Sequence, residues 1–224
     1  PFIFMNAVGL HRDLVTIVHE GGHAIHSFLD KDLDLVEFKS PPSEVAELAS
    51  MSMELISMEH WDVFFKNEEE LKKAKRQQLE SVMDALPWIA AVDKFQHQLY
   101  LKPEHSVKER YEMWIDIMDE FGSKVVNYAG LEDNVKRRWQ IQLHLFEVPF
   151  YYIEYGFAQL GAIAMWRQYK QNARTGIENY KKALALGYTA SIPDIYKAGG
   201  IKFDFSPAYV KELMDFVKEE YAKI

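Results

Sequence analysis

The chain has 224 residues, 48% of them hydrophobic, a formal net charge of −8 and no cysteine. That apolar content can fill a substantial core, and the acidic balance argues against nucleic acid or an anionic membrane as the main partner. Without cysteine there is no disulfide framework and no thiolate ligand, so any metal must be held by His and carboxylate; the expected compartment is a reducing cytoplasm. No apolar run approaches the roughly 18 residues of a membrane-spanning helix.

Most of the chain reads as helix. Phe2 to Met5 is an apolar run that could form a short strand, and Leu35 to Phe38 is a second candidate. The first helix is expected over about 10–29, ended by Asp30-Lys31-Asp32. Ser43 is a plausible N-cap for a helix from about Glu44 to Phe65. The charged stretch Lys66 to Gln78 reads as a solvated helix face or turn. A helix follows to about Leu86, and Pro87 opens the next, through Leu101. Ser106-Val107-Lys108-Glu109 is a capping-box pattern opening a helix that stops near Gly122. Asn127 to Asp133 is loop-like, helix resumes to about Val148, and after Pro149 a long amphipathic run reaches Asn172. Helices near 175–186, 191–198 and 207–222 finish the chain, the last opened by Ser206-Pro207. With no repeats and no linker, the expectation is one all-α domain over 1–224.

The first helix carries His19-Glu20-Gly21-Gly22-His23, an H-E-x-x-H pattern flanked by apolar residues. Residues four apart share a helix face about one turn, ~5.4 Å, apart along the axis, so both imidazoles can reach one tetrahedral zinc. Glu20 beside them can act as the general base on an attacking water. Gly21-Gly22 is costly inside a helix, roughly 0.8–1 kcal/mol per Gly relative to Ala. A close backbone approach, as along a substrate cleft, accounts for it.

A catalytic zinc site usually takes three protein ligands. His26 lies on the same face, but three ligands from one continuous helix cannot easily surround one ion, so it reads as a packing residue or a support for a ligand. The next helix offers Glu44, Glu47, Glu54 and Glu59. Glu44 and Glu59 fit a solvated stripe. Glu47 sits among small apolar neighbours, where a carboxylate needs a partner, and is the expected third ligand. Glu54, seven residues on and on the same face, is placed to accept the second N–H of a liganding imidazole.

His19-Glu20-Gly21-Gly22-His23-Ala24-Ile25-His26, then Glu47-Leu48-Ala49-Ser50, then His144 with Pro149-Phe150-Tyr151-Tyr152-Ile153-Glu154-Tyr155, resemble the oligoendopeptidase F family, which is related to thimet oligopeptidase. Phe2 to Asn6 resembles the stretch before the family's metal helix, and Ala198-Gly199-Gly200-Ile201 its closing segment. Gly21 departs from the family's more usual Phe. The resemblance implies a mainly helical zincin-type catalytic domain that binds one Zn2+ through His19, His23 and Glu47, uses Glu20 as base, and cuts short peptides. It also implies that His144, Tyr152 and Tyr155 lie near the scissile carbonyl, with Tyr151 the alternative tyrosine. Arg137, Arg138 and Glu154 are read as structural charges.

The family's chains are much longer, and this one begins in an apolar run without an initiator Met. It is therefore expected to be the C-terminal portion of a longer peptidase, with the missing N-terminal region as a partner. The leading function is a zinc endopeptidase acting on oligopeptides. The alternatives are a zinc peptidyl-dipeptidase or carboxypeptidase, or an inactive helical peptide-binding fragment.

Overall fold

Asp13 fixes the start of the first helix, α1 (His11–Leu29). Its carboxylate accepts the backbone N–H groups of Val8, Gly9 and Leu10 at 2.8, 2.6 and 2.8 Å. These bonds, that from Leu10 foremost, hold the carboxyl below its ordinary range. A negative charge in the first turn also complements the helix dipole. The computed structural model describes residues 1–224 and contains helices without any β-strand.

The remaining helices are α2 (Ser43–Ser57), α3 (Glu68–Leu101), α4 (Val107–Phe121), α5 (Glu132–Val135), α6 (His144–Glu147), α7 (Ile153–Gln171), α8 (Ala173–Leu184), α9 (Ile192–Ala198) and α10 (Pro207–Tyr221). Three 3-10 turns, Val36–Lys39, Met58–Val63 and Arg138–Ile141, complete the list. None is long and apolar enough to cross a membrane. Contacts divide the chain into two compact units, Pro1–Val82 with Phe157–Ile224, and Met83–Gly156.

The first unit buries Leu48, Leu55, Met58, Trp61, Ile163, Trp166, Leu213 and Val217. Two buried tyrosines fasten α2. Tyr180 on α8 donates to the Ala49 carbonyl at 2.9 Å, and Tyr196 on α9 donates to the Glu44 carbonyl at 3.2 Å. In the second unit Val92 and Phe95 of α3 pack on Trp114 and Ile117 of α4 and on Trp139. The Trp114 indole donates to the Val135 carbonyl at 3.0 Å, which ties the short helical pieces after α4 to this core.

Several expectations need correction. Leu35 to Phe38 is no strand but leads into a 3-10 turn, and Phe2 to Met5 has no regular structure; a lone strand without a partner has nothing to hold it. Pro87 does not end a helix: α3 runs through it for 34 residues. The packing of Trp88, Val92 and Phe95, just after that turn, outweighs the lost N–H. Ser43 is the first residue of α2, and Pro42 stands at its N-cap. The expected helix to Val148 is instead α5, a 3-10 turn and α6. By contrast Ser106 and Glu109 form the reciprocal capping box, with Glu109 N–H to Ser106 Oγ 3.2 Å and Ser106 N–H to Glu109 Oε2 2.8 Å.

Candidate functional site

α1 and α2 touch through Gly22. A Cβ built at Gly22 would stand 2.6 Å from Ser50 Cα and 2.7 Å from the Ala49 carbonyl oxygen, both main chain, whereas one at Gly21 would meet nothing within 4 Å. The Gly pair therefore divides its duties: Gly22 serves helix packing, not a substrate cleft, and Gly21 faces open space. Gly22→Ala is expected to lower stability by about 1–3 kcal/mol through overpacking. Gly21→Ala should raise it by roughly 0.8–1 kcal/mol through helix propensity. Thermal melts of the two variants, at about 2–4 °C per kcal/mol for a chain of this size, check the opposite signs.

This close approach brings three ligand-type groups together. His19, His23 and Glu47 offer donor atoms that all lie within 4.8 Å of one another. His19 Nε2 is 3.4 Å and His23 Nε2 is 3.9 Å from Glu47 Oε2. The two rings stand edge to face, centroids 5.0 Å apart. Behind them, His19 Nδ1 and Glu54 Oε1 are 2.6 Å apart, so a proton on Nδ1 serves Glu54 and Nε2 is left as a lone pair. Two residues that sequence reasoning missed steady the carboxylates. Ser50 Oγ donates to Glu47 Oε2 at 2.9 Å, and Gln78 Nε2 donates to Glu54 Oε2 at 2.7 Å. Ser50 was findable, three residues from Glu47 on the same helix. Gln78 lies in a charged stretch that carries no local signal.

The electrostatics suit a cation. His19 lies above its ordinary value: burial pulls it down, but the hydrogen bond and charge of Glu54, with the charges of Glu47 and Glu20, outweigh that. His23 lies below its ordinary value because burial dominates over the Glu47 charge. Two imidazoles and one carboxylate, with a bare Nε2 on His19 held by a half-buried hydrogen-bond chain, are the donor set a catalytic zinc takes. Protons compete with metal for such ligands, so acid would weaken metal binding at a group of this kind.

Other residues singled out in the sequence lie outside this ligand group. Glu20 is half-buried on α1. Glu44 is not within the ligand group. Glu59 is no solvated stripe residue: it accepts from the Trp166 indole at 3.0 Å and pairs with Lys170 at 3.1 Å. His26 is 4% exposed, and its Nε2 has no hydrogen-bond partner. Burial first, then the charge of His23, pushes His26 down to about 4 from an ordinary 6.5. The unfolded chain then binds a proton that the fold refuses. Stability from this residue is whole above pH 6.5 and declines as pH falls from 6.5 through about 4, by up to about 3 kcal/mol at 1.36 kcal/mol per unit. His26→Phe should flatten that part of the acid limb in urea titrations; an unchanged slope would assign the limb to other groups.

In the second unit, His144 gathers the tyrosines. Its ring lies 5.8 Å from that of Tyr151, 5.0 Å from Tyr152 and 5.6 Å from Tyr155. His144 Nε2 is 3.3 Å from the Tyr155 hydroxyl. Burial pushes the Tyr152 phenol up, opposed by a hydrogen bond from Trp88. Such phenols stay neutral and serve as donors. Phe150, just before them, holds a left-handed φ of 61°, and its N–H donates to Gln96 Oε1 at 2.9 Å. Arg137 pairs with Asp133 and Arg138 lies over the Trp88 ring, both structural contacts.

A sequence model described as peptidase family M3 matches residues 1–215. The chain belongs to peptidase family M3. An oligoendopeptidase F homolog of Borreliella burgdorferi is 26% identical to the M3 chain over 196 residues, covering 84% of it and 32% of the relative. Oligopeptidase PepF of Bacillus subtilis is 22% identical over 205 residues, 90% of the M3 chain and 30% of the relative. PZ peptidase A, solved with an inhibitor, matches the whole chain over 40% of its own length at a TM-score of 0.90 and 27% identity. The M3 chain thus spans about a third of the length of these curated relatives. The family and the all-helical class both agree with the residues that pointed to them.

Proposed function

We propose that this chain carries the zinc centre of an endopeptidase acting on short peptides. The observation that carries the reading is the convergence of His19, His23 and Glu47 on one point beside Glu20, in a chain of a peptidase family. His19 and His23 would hold the metal through Nε2 and Glu47 through a carboxylate oxygen, while Glu54 keeps His19 in the required tautomer. A bound zinc supplies Lewis-acid polarisation of a peptide carbonyl and makes an attacking water more acidic. Glu20 accepts the proton of that water and passes it to the leaving amine, so the bond broken is C–N and the bond formed is C–O. His144, Tyr152 and Tyr155 are read, from the family resemblance, as neutral donors to the oxygen that gains charge, with Tyr151 the alternative. A typical donor of this kind is worth about 2.7–4 kcal/mol.

The relatives' chains are about three times as long, and the proposed turnover belongs to a protein of that extent, in which a further region supplies binding surface for the peptide. Elemental analysis should find one zinc per chain, and a quenched fluorescent peptide should be cleaved in a chelator-sensitive way by the full-length protein. A full-length protein that holds no zinc and cuts no peptide would overturn the reading.

A further inference from the structure

We infer that Trp88 and Gln142 are positioning residues that hold His144 as the tautomer with its proton on Nε2. All of these residues belong to the unit Met83–Gly156. The Trp88 indole N–H lies 3.1 Å from Gln142 Oε1 and is shared with the Tyr152 phenol oxygen; an indole nitrogen only donates. That contact turns the amide oxygen toward Trp88 and the amide NH2 toward His144. Gln142 Nε2 is 2.7 Å from His144 Nδ1. An amide NH2 also only donates, so Nδ1 must present its lone pair. A neutral imidazole keeps one proton, and here it sits on Nε2, the nitrogen 3.3 Å from the Tyr155 hydroxyl.

The surroundings support a fixed ring. Trp88 is held edge to face on Trp114, centroids 5.6 Å apart, so the first donor in the series is itself anchored. Tyrosines 151, 152 and 155 pack on the ring, and Arg138 lies over the Trp88 face. Nδ1 faces the Gln142 amide. His144 is therefore set as a permanent N–H donor and not as a base. An oxyanion partner needs that polarity, and in this consequence alone the inference rests on the role proposed for His144.

The test is the 15N spectrum of the imidazole side chains in the zinc-loaded full-length protein, with the His144 signals identified by their loss in His144→Phe. The expected result is a protonated Nε2 and a bare Nδ1 from neutral to alkaline pH. In Gln142→Glu the carboxylate still satisfies the indole but now accepts from Nδ1. The ring pKa should rise, and once neutral the ring should keep its proton on Nδ1. Relative to the parent at the same pH, peptide turnover should then hold at low pH, where the imidazolium retains Nε2–H. It should fall about 10²–10³-fold in kcat above the raised pKa, the size of one lost oxyanion donor, with KM little changed. Trp88→Phe keeps a ring on Trp114 but removes the indole donor, and should give a mixture of tautomers. A parent protein with its proton on Nδ1, or a Gln142→Glu variant whose tautomer does not move, would overturn the inference. A tautomer that switches while turnover stays level at every pH would uphold the positioning and remove His144 from the proposed chemistry.

Discussion

Glu20→Gln is expected to leave zinc content and helical fold intact and to lower peptide turnover by about 10²–10⁴-fold, the range of a positioned general base. Glutamine has nearly the same shape, so the α1 face that carries His19 and His23 should pack unchanged. Its amide cannot take a proton from water at neutral pH, nor return one to an amine. The prediction separates two jobs of one helix: the imidazoles hold, the carboxylate moves protons. Zinc content by elemental analysis and kcat on a fluorescent peptide, measured together, distinguish them. Near-normal kcat in a zinc-replete Glu20→Gln protein would take the base role away from this residue.

Glu47→Ala is expected to strip most of the zinc, whereas Glu44→Ala should strip none. Only Glu47 brings a carboxylate oxygen within reach of both imidazoles, at 3.4 and 3.9 Å. Its loss leaves two ligands, too few for a catalytic site. Glu54→Ala should fall between, at about 10–100-fold weaker metal binding, because it removes the partner of His19 Nδ1 and not a ligand. Competition with a chelator of known affinity ranks the three. Zinc loss in Glu44→Ala with retention in Glu47→Ala would reverse the ligand assignment. The same measurement with cobalt or manganese should preserve the order, since nitrogen and oxygen donors do not enforce zinc.

The metal-type cluster was legible because its information is local. A four-residue spacing on α1 aligns His19 and His23, and a seven-residue spacing on α2 aligns Glu47 and Glu54, so two short segments suffice once the helices are known. The capping box at Ser106 was equally plain, since both partners lie within four residues. What could not be read depended on distant packing. Pro87 looks like a helix boundary until Trp114 and Trp139 are set beside its neighbours. Glu59 looks solvated until Trp166 and Lys170, more than a hundred residues away in sequence, are brought to it. Gln78 and Gln142 carry no signal of their own. An amide gains meaning only from the group it faces, and those faces are made by the fold.

The contact at Gly22 bears on how such motifs should be read. The pattern H-E-x-x-H fixes three letters and leaves two blank, as though any residue could fill them. Here the second blank is the tooth on which two helices mesh, with main chain on the other side. A side chain there would wedge the carboxylate helix outward and widen the gap that both imidazoles must span to Glu47. The pentapeptide is therefore a four-letter word in this architecture, and its fourth letter encodes a distance. A designer who transplants the motif onto a new pair of helices should carry the glycine with it, or redraw the spacing between the helices to suit whatever replaces it.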